Sequence, residues 1–493
     1  MSPRLPLVDP PGPSPAANCT FGGGCGRPGE ARPLPPGLAE KVRRHPCYSE
    51  EAHHHFARMH VAVAPACNIQ CHYCNRRHDC ANESRPGVVS ERLTPDQALA
   101  KVRAVAAEVP ELSVVGLAGP GDPLATPDRT FEVLDRIRRA LPDLTLCLST
   151  NGLALPDHLD RLAALEVGHV TVTVNMVDPA VGARIYPWVL WKGRKVAGPE
   201  ASRILSERQL EGIAGLAARG ILCKVNSVVI PGVNDAHLPE VSRRVQGLGV
   251  FVHNLMPLLS APEHGTHYGL TGQRGPTEAE LEAARRACEL DARVMRHCRQ
   301  CRSDAVGRLG EDRGAAFALA RLPRETARDA AGVRAAHRVA VDRRRARIEA
   351  DRRDALRLVA DLDAGLRARV AVATRGDGLV NEHFGHAREF LVYEVGREGA
   401  RLLGTRRVER TCQGGEGERD ALAAVLRTLA DCQAVLVAKV GRCPRGQLRA
   451  AGIEPVVVEA YRPIEAAALA WFARFAARAG AAHDAAPRSA AVA

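Results

Sequence analysis

Between residues 59 and 260 the chain alternates six short β-rich runs with five amphipathic helical stretches. The runs are MHVAVAP (59–65), LSVVGLAG (112–119), LTLCLSTNG (144–152), HVTVTVNM (169–176), LCKVNSVVI (222–230) and VHNLMPLLS (252–260). The helical stretches lie near 94–109, 127–141, 156–166, 203–219 and 236–247. Two strands separated by a helix pair in parallel, because the helix provides the crossover that a tight turn cannot. Such crossovers are right-handed. The pattern therefore predicts an α/β fold built on a partial (βα)6 barrel, with reactive groups at the C-terminal ends of its strands as in full barrels.

Composition places further segments around this unit. Residues 1–38 are rich in Pro and Gly and read as a disordered arm. The cluster-bearing barrel is assigned 39–310, a charged helical linker 311–366, a second and smaller α/β domain 367–477, and an Ala-rich tail 478–493. In the second domain, strands are read at VAVAT, EFLVYEV, AVLVAKV and EPVVVEA, with helices at 419–431 and 464–477. The net charge of +12 invites a nucleic-acid reading, but much of the Arg lies in 313–353 interleaved with Asp and Glu. That pattern reads as a solvated helix without aromatic stacking platforms, so no nucleic-acid partner is expected. No apolar run approaches the length of a membrane span, and the N-terminus lacks a charged start followed by an apolar block, so a cytoplasmic protein is expected.

The 15 cysteines carry the chemistry. Thiols clustered in a long cytoplasmic chain more often bind metal than form disulfides. Residues 65–77 read PACNIQCHYCNRR, spaced Cys67-x-x-x-Cys71-x-x-Cys74, just beyond the first strand. Three thiolates fill three iron sites of a [4Fe-4S] cube and leave the fourth iron open, whereas an electron-transfer cluster normally has four Cys ligands. A zinc site is the competing reading. It favours four closed ligands, often in C-x2-C pairs, which this triplet does not supply.

More thiols are present than one cluster requires. Cys47 sits in HPCYSEEAHHHFARMH, Cys80 in RRHDCANESRPG, and Cys298 and Cys301 in MRHCRQCRSDAVG. On the third strand Thr145, Cys147, Ser149 and Asn151 share one face and Leu144, Leu146 and Leu148 the other. The apolar face packs under helices, so Cys147 is expected to face the lumen. Cys47, Cys80, Cys147, Cys298 and Cys301 are thus candidate ligands for further clusters, aided by a histidine. His60 is the first choice among His53, His54, His55 and His60. Cys223 and Cys288 read as structural, and Cys19 and Cys25 lie in the arm. Cys412, Cys432 and Cys443 match no metal spacing.

The triplet, with Tyr73 just before its third Cys, resembles the C-x3-C-x-aromatic-C signature of radical S-adenosylmethionine (SAM) enzymes. The resemblance implies that the open iron of the Cys67, Cys71, Cys74 cluster binds SAM and that one electron releases a 5′-deoxyadenosyl radical. It also implies SAM contacts at the Tyr73 backbone, at Gly121 in the GPGDP loop (119–123), and at Thr173 and Val225. Ordinary sheet packing is the plainer reading of Val225. The HPC block and the MRHCRQCRSDAVG segment followed by LGED resemble the maturases that build the nitrogenase iron–molybdenum cofactor. That resemblance implies two further [4Fe-4S] substrate clusters, fused into an 8-iron precursor around a carbide drawn from a SAM methyl group. The implied partners are an iron–sulfur donor scaffold, an electron donor such as ferredoxin or flavodoxin, and downstream nitrogenase cofactor carriers and scaffold. VAVATRGDGLVNEHFGHAREFLVYEV (370–395) resembles the ribonuclease-H-like carrier domain of NifX- and NifY-type proteins, with His383 and His386 in a loop that suits either cofactor docking or a plain turn.

Two rival readings stand beside this one. A radical SAM enzyme with auxiliary clusters could modify a peptide or small molecule, and an iron–sulfur scaffold could store clusters without SAM chemistry.

Overall fold

The computed structural model describes residues 36–75, 91–290, 292–302, 304–322, 330–409 and 418–484. Cys19, Cys25, Cys80 and Cys412 lie outside the described residues. A helix over Pro36–Arg43 opens the described chain, so helix begins just inside the stretch read as arm.

The six parallel strands are β1 (Ala57–Ala64), β2 (Leu112–Pro120), β3 (Thr145–Thr150), β4 (His169–Thr173), β5 (Leu222–Val229) and β6 (Val252–Pro257). They pair in sequence order, and a short antiparallel strand, β7 (Val306–Gly307), adds to the outer edge of β1. The crossovers carry α1 (Pro95–Glu108), α2 (Pro127–Ala140), α3 (Leu159–Ala164), α4 (Gly198–Ala218) and α5 (Leu238–Gln246). Helix α1 starts on a capping box, in which Thr94 accepts from the Gln97 amide and Gln97 reaches back to the Thr94 amide. Another capping box, Thr277 with Glu280, starts α6 (Glu278–Glu289), which packs beside α5.

Alternation along the strands decides what faces each side. Val61, Val115, Leu146, Leu148, Val170 and Val172 share one apolar core with the helices. Their polar neighbours, including Ser149, Thr171 and Asn226, turn to the concave side. Between β4 and α4 the chain inserts a hairpin, Trp188–Trp191 with Arg194–Ala197. Its first strand pairs with Ile69–Gln70, inside the cysteine loop.

The charged segment forms α7 (Ala330–Arg357). The expectation of a plainly solvated helix needs correction. Arg334 is buried, forks onto Asp143 at 2.9 and 2.7 Å, and donates to the Ala106 carbonyl. Guanidinium groups buried in bidentate pairs dock the helix rather than leave it in water.

The smaller sheet contains β8 (Ala368–Val372), β9 (Glu389–Gly396), β10 (Gly399–Arg407), β11 (Ala434–Leu436) and β12 (Glu454–Val456). Its order is β10-β9-β8-β11-β12, antiparallel through the first three strands and parallel beyond them, a ribonuclease-H-like arrangement. Helices α8 (Glu418–Thr428) and α9 (Arg442–Ala450) contribute to the core on one face. Helix α10 (Ile464–Asp484) covers the other with Trp471 and Phe472, and it continues past 477. Strand β10 and helix α9 are additional to the elements read from the sequence. No helix among the described residues is long and apolar enough to cross a membrane.

Candidate functional site

The cysteine loop follows β1 at the C-terminal end of the sheet. It is held on several sides. The Ile69–Gln70 pairing fixes its middle, the His72 amide donates to the Ile185 carbonyl, and the Gln70 side chain donates to the carbonyls of Cys71 and Cys74, each at 3.0 Å. Tyr73 is buried, and its hydroxyl accepts from the Asn175 amide at 2.7 Å. The aromatic ring therefore anchors the loop and leaves the backbone at 73 to face outward contacts. Cys71 is buried and Cys67 and Cys74 are half-buried, within one apolar cluster.

Gly121 explains why the second loop needs glycine. A Cβ at this position would stand 2.0 Å from the Ala66 carbonyl oxygen, well inside contact distance. The close approach is to the protein's own cysteine loop, since the Gly121 amide donates to the Ala64 carbonyl and the Asp122 amide to that of Ala66. Asp122 extends the connection. Its buried carboxylate accepts from the Thr150 hydroxyl and from the Asn151 and Leu124 amides. Burial pushes its pKa up to about 6, against the pull of those donors. Asn151 in turn donates to Asn68 at 2.7 Å and lies 3.7 Å from Cys67 Sγ. Three thiols on one braced loop, beside an amide donor to sulfur, suit a [4Fe-4S] cluster with one open iron.

Thr173 and Val225 part company. Thr173 lies at the end of β4, and its carbonyl accepts from Gln209. Val225 is fully buried in the outer core under the helices, so its side chain points away from the lumen. Strand alternation gives the lumen to Lys224 and Asn226 instead. The Val225 side chain therefore serves sheet packing, the plainer of its two readings.

Deeper in the lumen lies a cavity. Cys47, His60, Cys147, Cys298 and Cys301 all line it. They come from four separate places: the segment before β1, the middle of β1, the middle of β3, and the C-x-x-C after α6. These side chains are away from the strand ends, where reactive groups were expected, because the segments around Cys47 and Cys298 close the barrel from its other end. Leu144, Leu146 and Leu148 pack on the opposite face of β3 from Cys147. Among the described residues, no three His, Cys, Asp or Glu side chains draw close enough to hold a single metal ion.

His60 has a defined tautomer. Its Nδ1 is 3.0 Å from the Arg302 carbonyl, which can only accept, so Nδ1 carries the proton and Nε2 the lone pair. Burial lowers its pKa to about 4 and keeps the ring neutral. Gly116 makes room for it, since a Cβ there would meet His60 Cδ2 at 3.0 Å. A carbonyl behind one nitrogen and a lone pair on the other is the usual arrangement of a ligating histidine. Burial pushes the Cys47 thiol up to about 11, opposed by the Lys224 ammonium. Cys298 Sγ accepts from Asn254 at 3.3 Å. Cys223 and Cys288 pack in apolar cores away from the cavity.

Sequence reading missed the polar residues of this cavity: His45, Arg58, Lys224, Asn254 and Arg299. Period-two alternation offered a signal for Arg58 opposite Met59 and for Lys224 opposite Val225. His53 and His54 do not line the cavity. Their rings lie tilted against each other with centroids 3.8 Å apart, and the His54 carbonyl accepts from the Asp377 amide of the smaller unit. The His383 and His386 rings lie tilted with centroids 4.5 Å apart in their loop, where His383 Nδ1 accepts from the Gly385 amide.

A parallel half-barrel with a C-x3-C-x2-C loop at its strand ends defines a radical SAM protein, and the radical SAM superfamily model matches residues 61–245. The model for dinitrogenase iron-molybdenum cofactor proteins matches 366–474, which spans the smaller sheet. The chain is 56% identical over 450 residues to the FeMo cofactor biosynthesis protein NifB of Herbaspirillum seropedicae, covering 91% of this chain and 86% of that one. Against the NifB of Bradyrhizobium diazoefficiens it is 54% identical, covering 91% and 90%. Against that of Frankia alni it is 54% identical, covering 92% of each. The chain belongs to the NifB family of radical SAM proteins of FeMo cofactor biosynthesis.

Proposed function

We propose that this chain fuses two [4Fe-4S] substrate clusters and inserts a SAM-derived carbide, producing the 8-iron precursor of the nitrogenase iron–molybdenum cofactor. The observation that carries this reading is the single cavity lined by Cys47, His60, Cys147, Cys298 and Cys301. Four thiols and a neutral imidazole match the soft-ligand preference of iron–sulfur groups and are an unusual lining for an organic substrate. Cys80 is proposed as a further ligand on its resemblance alone.

Cys67, Cys71 and Cys74 would hold the resident [4Fe-4S] cluster, which when bound would supply the one-electron reduction of SAM. The chain's residues arrange the rest. Asn151 braces Cys67, and the Gly121 and Thr173 backbones frame the SAM end of the lumen. The thiols below hold the substrate clusters on the barrel axis. Arg58 and Lys224 offset the negative charge that thiolate-bound clusters bring into a buried site. Methyl transfer and SAM cleavage at one site make the activity of lyase and transferase type. The 367–477 unit is read as a cofactor carrier. An iron–sulfur scaffold, a ferredoxin or flavodoxin, and downstream nitrogenase cofactor proteins are the partners this chemistry requires, in the cytoplasm.

The deciding experiment supplies methyl-labelled SAM to the cluster-loaded full chain. Label in an acid-labile iron–sulfur product supports the reading. Label confined to a peptide or small molecule overturns it in favour of a radical SAM enzyme that modifies such a substrate. Absence of both label transfer and 5′-deoxyadenosine would leave a cluster scaffold.

A further inference from the structure

The smaller domain grips the segment that carries Cys298 and Cys301. Glu389 of β9 pairs with Arg299 Nη2 at 3.0 Å. Arg407 of β10 donates to the Arg299 carbonyl at 3.1 Å. Arg296 donates to the Leu403 carbonyl of β10 at 2.7 Å while pairing with Glu282 and Glu289 of α6. Three contacts from two neighbouring strands thus converge on residues 296–299, the stretch that contains Cys298.

Arg299 stands at the centre of this junction. It is 93% buried and lines the thiol cavity. Glu389 satisfies one arm of its guanidinium, yet Nε and Nη1 are buried with no hydrogen-bond partner among the described residues. Leaving these charged donors unsatisfied in a buried site is more than a folded protein normally tolerates without a function. The two groups are donors only. Their missing partner is therefore an acceptor, and an anionic one, lodged in the cavity beside Cys298 and Cys301.

We infer that Arg299 is a positioning residue for the iron–sulfur substrate: its free N–H groups donate to sulfur at the Cys298–Cys301 end of the cavity, and Glu389 of the smaller domain aims it. The inference rests on the reading that the cavity accepts iron–sulfur clusters. It gives the smaller domain a role during assembly, in addition to carriage of a finished product. Cluster occupancy and domain docking become coupled through one guanidinium, because the same side chain is held by Glu389 on one edge and by substrate on the other.

The test is a redox titration of the full chain loaded with clusters, followed by electron paramagnetic resonance, in the wild type, Glu389→Gln and Arg299→Gln. Removing the carboxylate leaves the guanidinium charge uncompensated, which stabilises the reduced substrate cluster and raises its potential. Removing the guanidinium lowers it. The potential of the Cys67, Cys71, Cys74 cluster stays unchanged in Glu389→Gln, and so does 5′-deoxyadenosine formation. Opposite shifts in the two variants support the inference. Identical potentials in all three proteins overturn it, as do shifts of the same sign, which indicate general loosening. About four irons per wild-type chain, instead of about twelve, would overturn the cavity reading and this inference with it. Twelve irons with unmoved potentials would overturn the inference alone. Glu389 is one-third exposed, so its neutral variant is expected to fold even if Arg299→Gln does not.

Discussion

Glu51 receives the fork of the Arg345 guanidinium, with Nε at 2.9 Å from one carboxylate oxygen and Nη2 at 2.6 Å from the other. The pair joins helix α7 to the segment that precedes β1 and carries Cys47. Arg345 also donates to the Arg43 carbonyl, and His55 Nε2 lies 3.0 Å from Glu51. A helix read from its charge pattern as solvent-facing thus closes the barrel's lower end.

Arg345→Ala should cost about 3 kcal/mol, the lower end of the range for breaking a buried pair, because Glu51 keeps 23% of its side chain exposed. The pH dependence has a defined sign. Burial alone would raise the Glu51 pKa, but the hydrogen bonds from His55 and Arg345 outweigh it and hold the carboxyl at about 2. A carboxyl lowered on folding contributes stability above its unfolded value and loses it as pH falls toward the folded one. Wild-type stability should therefore decline between about pH 4.5 and 2. Arg345→Ala should flatten that decline. Denaturant unfolding of the cluster-free full chain across this range checks both.

Gly121→Ala should separate the two halves of the site. The new methyl group would strike the Ala66 backbone, which cannot move without shifting Cys67. The expected outcome is loss of 5′-deoxyadenosine formation by at least tenfold, equivalent to about 1.4 kcal/mol in the barrier. The thiol cavity lies deeper, so loading of substrate clusters should persist. Iron and sulfide counting beside product chromatography reads both effects. A variant with wild-type SAM cleavage would refute the close packing of the two loops.

Tyr73→Phe tests whether the ring acts as an anchor. The substitution removes the hydroxyl that accepts from Asn175, although the Asn175 amide keeps its 2.8 Å contact with the Tyr186 hydroxyl. With one partner retained, the loss should be about 1 kcal/mol of stability. The KM for SAM should rise no more than about fivefold, because the phenyl ring preserves the loop's apolar seat. A complete loss of SAM cleavage would mean that the hydroxyl does more than anchor.

The barrel was legible because its signals are local. Six β-rich runs and five amphipathic stretches recur at crossover spacing, and apolar alternation fixed the lumen side of β3 before any coordinates. The smaller sheet was legible except for β10. There Arg401 and Arg406 interrupt the apolar run, since Arg401 pairs with Glu289 and Arg406 with Glu278 and Asp431, all outside the strand. Such pairings are non-local and leave no periodic trace. The same limit hid Arg299, whose partners lie on β9 and β10 of the smaller unit. Val225 shows another limit. A contact transferred by resemblance names a position on a strand, whereas the pleat decides which face its side chain takes.

Cys147 and Cys223 provide the sharpest comparison of function with packing. Both are buried thiols of one sheet, on strands that flank β4. Cys147 turns to the cavity and Cys223 to the core under the helices. Replacing either with Ser is nearly isosteric, so a purely structural role predicts similar effects. If Cys147 ligates a substrate cluster, Cys147→Ser should lower the iron content by up to about four atoms per chain, since serine is a poor ligand for soft iron–sulfur sites. The Cys67, Cys71, Cys74 cluster and its SAM cleavage should survive. Cys223→Ser should keep its full iron content and lose stability, by about 1–3 kcal/mol, because a hydroxyl would then be buried in an apolar core. Iron analysis with thermal unfolding of each variant separates the outcomes. Equal iron content in both variants would remove Cys147 from the proposed ligands, however well it faces the lumen.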